Sequence, residues 1–195
     1  RPVYVYNYGV MRPAGVPEDR YRCCYIHPLY SSRGVVITDD FPKDHYHHRG
    51  VFWAWPVVEV DGQQYDLWLM RGIRKRFHRI IAQEVAADRA RLTIEAGWYL
   101  EKVPQQPIVR EQLDIVALPL LGKTRELHFT LQLEAVSRPV GINGMLNGKG
   151  YGGFCVRFAP RSETVIRTDS GQETGDSNLV PHRWAELACQ FQRGS

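Results

Sequence analysis

The stretch Glu126-Leu127-His128-Phe129-Thr130-Leu131-Gln132-Leu133-Glu134-Ala135-Val136 decides the fold class. Leu127, Phe129, Leu131, Leu133 and Ala135 alternate with His128, Thr130, Gln132 and Glu134. Successive side chains of a strand point to opposite faces, so the pattern gives one apolar and one polar face. A helix of period 3.6 would scatter the same apolar residues around its cylinder. The segment predicts a half-buried antiparallel strand.

The neighbouring segments repeat that pattern. In residues 90–100, Leu92, Ile94, Ala96 and Trp98 share a face, opposite Arg91, Thr93 and Glu95. Residues 108–117 behave alike, and Asp88-Arg89 makes a turn back to a strand over 79–87. Further upstream, residues 22–27, 34–38 and 51–60 are rich in strand formers, the last bent or edged at Pro56. Asp61-Gly62 predicts a tight hairpin that returns through 64–70. Downstream, residues 137–153 hold Pro139 and six glycines and read as loop. Strands follow at 154–158, 164–168 and 182–191, and no helix longer than two turns is evident. The expectation is an all-β chain, with residues 1–195 forming a single large antiparallel β-sandwich or barrel.

Composition narrows the partners. An apolar fraction of 44% over 195 residues suffices for a real core. No run of eighteen apolar residues occurs, so no membrane partner is expected. The net charge is +4, and the densest basic patch lies at 71–79. No nucleic-acid motif accompanies it, so it reads as a solvated strand face and no nucleic-acid partner is expected. The cysteines stand at 23, 24, 155 and 189 with no Cys-x-x-Cys, which argues against structural zinc and a disulfide framework. In a strand, Cys23 and Cys24 would face opposite ways. This usage favours a reducing compartment, the cytoplasm. Arg1-Pro2-Val3-Tyr4-Val5-Tyr6 lacks the layout of a signal peptide.

The chemistry concentrates in Asp44-His45-Tyr46-His47-His48-Arg49-Gly50, which carries three of the seven histidines. Imidazole both binds metals and moves protons near neutral pH. In an extended segment His45 and His47 share a side and His48 opposes them. Three readings follow: His45, His47 or His48 as general acid or base; His45 and His47 as ligands of one transition-metal ion; or a polar loop held by imidazole hydrogen bonds. The metal reading needs Glu59 and either His128 or His182 as further ligands. Arg49 could fork onto a ligand carboxylate or pair with Asp39, Asp40 or Asp44. Gly50 implies a positive φ or a close backbone approach. Trp53 and Trp55 share a strand face, as a platform for a sugar ring or as core. Arg157, a charge in an apolar strand, needs a partner or a wet cleft. Gly148, Gly150 and Gly153 match G-x-G-x-x-G, but a strand rather than a helix follows, so no dinucleotide site is expected.

Pro42-x-Asp44-His45-x-His47-His48-Arg49-Gly50 with Phe52-x-Ala54-Trp55 resembles a bacterial family labelled methane oxygenase PmoA-like. Tyr25-Ile26-His27-Pro28-Leu29-Tyr30, Gly152-Gly153-Phe154-x-Val156-Arg157 and Arg183-Trp184-Ala185 fit the same resemblance. It implies a galactose mutarotase-like supersandwich in a carbohydrate-utilisation setting, and a chain that lacks its final strands. It also implies a small carbohydrate-like ligand and histidine acid–base chemistry paired with a carboxylate, for which Glu111 and Glu134 are candidates. The label itself implies an iron or copper oxygenase. A non-catalytic carbohydrate-binding module using Trp53 and Trp55 is the third expectation.

Overall fold

The computed structural model describes residues 1–145 and 147–191. Among these the strands are β1 (Tyr4–Asn7), β2 (Tyr25–Leu29), β3 (Val51–Ala54), β4 (Val57–Val60), β5 (Gln63–Tyr65), β6 (Ile73–Val85) and β7 (Ala90–Leu100). There follow β8 (Val109–Ala117), β9 (Leu127–Ala135), β10 (Gly141–Asn143), β11 (Gly153–Val156), β12 (Arg161–Thr168), β13 (Gly171–Gln172) and β14 (Ala185–Phe191). Among the described residues, one 3-10 turn spans Glu18–Arg20. Every strand pairing is antiparallel. No helix among the described residues is long and apolar enough to cross a membrane.

Two four-stranded sheets, ordered β1-β2-β3-β11 and β6-β7-β8-β9, form the sandwich. Their apolar residues pack in separate clusters, because neighbouring residues of β3 point to opposite faces. Ile26, Val51 and Trp53 from the first meet Leu113 and Ile115 from the second, while Tyr25, Phe52 and Ala54 meet Trp98, Leu100 and Val109. Alternation explains this placement: β8 buries Val109, Glu111, Leu113, Ile115 and Ala117 and leaves the intervening residues half-buried or exposed. On β9 the odd-numbered residues from Leu127 to Leu133 are half-buried and the even ones exposed, as expected for an outermost strand. Two three-stranded sheets, β10-β4-β5 and β13-β12-β14, complete the architecture.

The all-β reading and most strands hold. Pro56 divides the 51–60 run into β3 and β4, which join different sheets. Asp61 and Gly62 both take positive φ (51° and 73°) in the β4–β5 turn. Other expectations need correction. Residues 34–38 make only isolated bridges, Tyr30 to Val36 and Thr38 to Phe158. β1 and β10 lie in segments not read as strands. Cys24 has φ 61°, so Cys23 and Cys24 do not oppose each other, and their Sγ atoms approach to 3.4 Å. Residues 71–79 are not a wholly solvated face. Arg74 and Lys75 on β6 are buried, and Lys75 Nζ lies 2.8 Å from Glu111 Oε2.

Candidate functional site

The histidine segment is two successive turns, not a strand. His45 N donates to Pro42 O and His48 N to His45 O, both at 2.9 Å. The turns undo the two-sided arrangement of an extended chain, because they bring residues i and i+3 together. His45 and His48 stack with centroids 4.9 Å apart, and the His47 ring stands edge-on to His48 at 4.4 Å. All three imidazoles converge.

Arg49 builds this turn from behind. Its guanidinium donates to Tyr46 O, to His48 O at 2.6 Å and to Arg20 O at 2.6 Å. Nε lies 3.7 Å from Asp40 Oδ1, and the group sits over the Phe41 ring. The residue is fully buried. Of its two sequence readings the Asp40 ion pair is the one formed, and Arg49 is not among the residues lining the cavity. Asp40 in turn accepts from Tyr25 OH at 2.9 Å, and burial pushes its carboxyl up to about 6. Gly50 shows the close approach expected of it: a Cβ there would collide with Ile26 O of β2 and lie 2.9 Å from His27 Cβ.

The imidazoles open onto a cavity of about 770 Å³. Its opposite wall comes from the glycine-rich loop and β11: Tyr151 lies parallel to Trp68, 6° between planes and 5.8 Å between centroids. Lys149, Arg157 and Arg161 add positive charge to the lining, and Asp39 one carboxylate. Arg157 Nη1 stands 3.5 Å from His48 Nδ1, and Nη2 lies 3.4 Å from both Asp44 oxygens. Its backbone is pinned on both sides: N donates to Gly50 O at 2.7 Å, and O accepts from Asp39 N at 2.9 Å. Thus Arg157 has both the partner and the cleft that its place in the sequence demanded.

The electrostatics keep His47 and His48 neutral. Burial, then His48 and His45, pushes His47 down to about 3. Burial, then His45 and Arg157, pushes His48 down to about 4. His45 Nδ1 lies 2.8 Å from Asp44 Oδ2. Near neutral pH, His47 and His48 therefore present unprotonated ring nitrogens to the cavity.

The remaining sequence candidates lie elsewhere. Trp53 is 1% exposed, packed in the core with Lys75 Nζ over its ring. Trp55 packs on Trp98. They form no platform, because the inward face of β3 is the sandwich interior. Trp68 and Tyr151 are the stacked aromatic pair that lines the cavity. The signal for Tyr151 was a lone aromatic within a glycine-rich loop. Glu111 is buried against Lys75 and accepts from Trp98 Nε1 at 2.6 Å, while Glu134 pairs with Arg110 on the outer face. Neither reaches the histidines.

Nor do the suggested metal ligands assemble. Glu59 is exposed on β4, His128 lies beside Glu126, and His182 beside Asp169. Among the described residues, no group of three or more His, Cys, Asp or Glu has a metal-holding arrangement. A guanidinium beside His48 Nδ1 also opposes a cation there. These residues do not fit a metal ion.

The family described as "Family of unknown function (DUF6807)" matches residues 1–195. No curated protein and no solved structure matches the chain.

Proposed function

The chain belongs to the DUF6807 family of unknown function, and we propose that its cleft binds a sugar or sugar-derived ligand on which a histidine of the 45–48 turn moves a proton. The convergence of three imidazoles on the wall of one cavity carries this reading. A proton acceptor must be unprotonated where the enzyme works and must reach the ligand. Burial and mutual repulsion supply the first condition for His47 and His48. Their place in the lining supplies the second.

The ligand class follows from the rest of the lining. The flat Trp68–Tyr151 pair offers apolar faces for the C–H side of a sugar ring. Lys149, Arg157 and Arg161 against Asp39 leave a positive excess, which suits a sugar acid or another anionic sugar derivative. The resemblance of the histidine motif to PmoA-like proteins, and through them to galactose mutarotase-like sandwiches, points the same way. In this reading Arg157 orients a ligand oxygen while His48 or His47 takes a proton from carbon or hydroxyl. That is the chemistry of an isomerase, epimerase, lyase or hydrolase.

The test is a panel of hexoses, uronic acids and aldonates, followed by calorimetry for binding and proton NMR for turnover. At least one anionic sugar should bind and be converted. His48→Gln should lower turnover about 10²–10⁴-fold, the usual contribution of a positioned acid or base, with binding largely kept. Trp68→Ala should weaken binding. Binding without conversion of any panel member would make the cleft a carbohydrate-binding module. No binding at all would remove the carbohydrate reading.

A further inference from the structure

A second constellation lies outside the cleft, in the β13-β12-β14 sheet. Asp169 directly follows β12, Ser177 sits in the loop between β13 and β14, and His182 stands three residues before β14. Ser177 Oγ is 2.6 Å from His182 Nε2. The other ring nitrogen, Nδ1, is 3.1 Å from Asp169 Oδ1. Asp169 Oδ2 accepts from the backbone N–H of Arg183 at 3.2 Å, so the carboxylate is itself held. Hydroxyl, imidazole and carboxylate therefore stand in series, with the ring bridging the other two through its two nitrogens.

That order has a chemical meaning. A serine hydroxyl is a weak nucleophile until a base takes its proton, and the base works best when a third group fixes its tautomer and orientation. Asp169 on Nδ1 places the proton there and leaves Nε2 as the acceptor facing Ser177. The His182 side chain is 12% exposed and thus confined, while Ser177 is only half-buried and reachable. Glu173 Oε1, a second carboxylate, lies 3.8 Å from Nε2 and accepts from Thr168 Oγ1 at 2.7 Å. Leu179, two residues beyond the hydroxyl, has φ 60°, a strained conformation of a kind that clusters at functional sites. Leu179, Val180 and Trp184 are 68%, 53% and 52% exposed, leaving apolar surface close in sequence to Ser177 and His182.

We propose that Ser177, His182 and Asp169 form a nucleophile–base–carboxylate relay that hydrolyses an acyl ester. Ser177 Oγ attacks the acyl carbon and its proton passes to His182 Nε2. The tetrahedral adduct collapses, the ester C–O bond breaks, and the leaving alkoxide takes that proton to depart as an alcohol. Water then attacks the acyl-serine with His182 again as base, and a carboxylic acid leaves with the Ser177 hydroxyl restored. The sum is ester plus water giving acid plus alcohol, with no change of oxidation state. The Leu179 side chain fills the space that a Cβ at Gly150 would need, and Lys149 and Tyr151 beside that glycine line the cleft. The relay loop therefore touches the cleft rim, and an O-acylated sugar fits both; this last assignment alone rests on the carbohydrate reading.

The experiment uses the whole chain, a fluorophosphonate probe read by peptide mass spectrometry, and p-nitrophenyl acetate and butyrate as substrates. Phosphonylation should fall on Ser177 and vanish in Ser177→Ala at an unchanged melting temperature. His182→Gln should lower ester turnover about 10²–10⁴-fold. Asp169→Asn should lower it too, while leaving KM for the ester little changed, a split that a merely structural loop staple would not give. If the folded wild type leaves Ser177 unlabelled, or if Ser177→Ala hydrolyses the esters at the wild-type rate, the relay is overturned. Neither result bears on the cleft, whose test is conversion of a free sugar.

Discussion

His47 and His48 hold ring nitrogens that resist protonation, down to about 3 and about 4 against an ordinary value of 6.5. An unfolded chain would bind those two protons from about pH 6.5 downward, while the folded one would not. Stability carried by these groups is therefore full above pH 6.5 and drains away as pH falls towards 4. Asp40 works in the opposite sense. Its carboxyl is raised from 3.8 to about 6, so folding gains as pH drops through that interval. Two larger depressions outweigh one smaller elevation, and the melting temperature of the protein should fall on acidification. In a His47→Gln, His48→Gln double variant Asp40 is the one of these three groups left, and the acid slope should flatten. Scanning fluorimetry of both proteins from pH 7 to pH 4 checks this; parallel curves would contradict it.

At the scale of elements, the point where the histidine turn enters β3 depends on a missing side chain. Gly50 lets the chain press on the Ile26 carbonyl of β2, and Gly50→Ala must push the two strands apart. Overpacking of this kind costs about 1–3 kcal/mol, readable as a lowered urea midpoint. Imidazole spectra by NMR should change with it, because the turn is anchored at that glycine. The strands themselves were legible wherever alternation ran long, as in β7, β8 and β9, because a two-residue period has no helical counterpart. The close approach at Gly50 was legible too. The turn over residues 42–48 was not: its conformation is set by Arg49 reaching carbonyls of Arg20, Tyr46 and His48, and only one of those is adjacent in sequence. β1 and β10 were missed because strands of three or four residues carry no period to read.

At the scale of the whole molecule, the sandwich closes over a buried ion pair. Lys75 on β6 and Glu111 on β8 are both shielded from solvent, and burial pushes the Lys75 ammonium below its usual range. Removing one partner strands a charge in the core. Glu111→Leu alone should cost about 3–5 kcal/mol in urea unfolding. Lys75→Met combined with Glu111→Leu should recover most of that loss, since a matched apolar pair needs no counter-ion. Equal stability of the single and double variants would contradict the assignment. The mutarotase-like resemblance offered Glu111 as a carboxylate for the histidines; its partner is Lys75, from the strand two places away in the same sheet. The Ser177–His182–Asp169 series was equally out of reach, since the loop between β13 and β14 has no pattern that foretells which of its polar groups converge.

Arg157 reaches His48 across 109 positions of chain. The imidazoles emerge from the ribosome long before the guanidinium that stands beside them. Until β11 docks on β3, a nascent polypeptide carries imidazoles with no Arg157 beside them and no Tyr151 against Trp68. The cleft is thus incomplete during synthesis, and its histidine and arginine walls meet only when β11 closes onto β3.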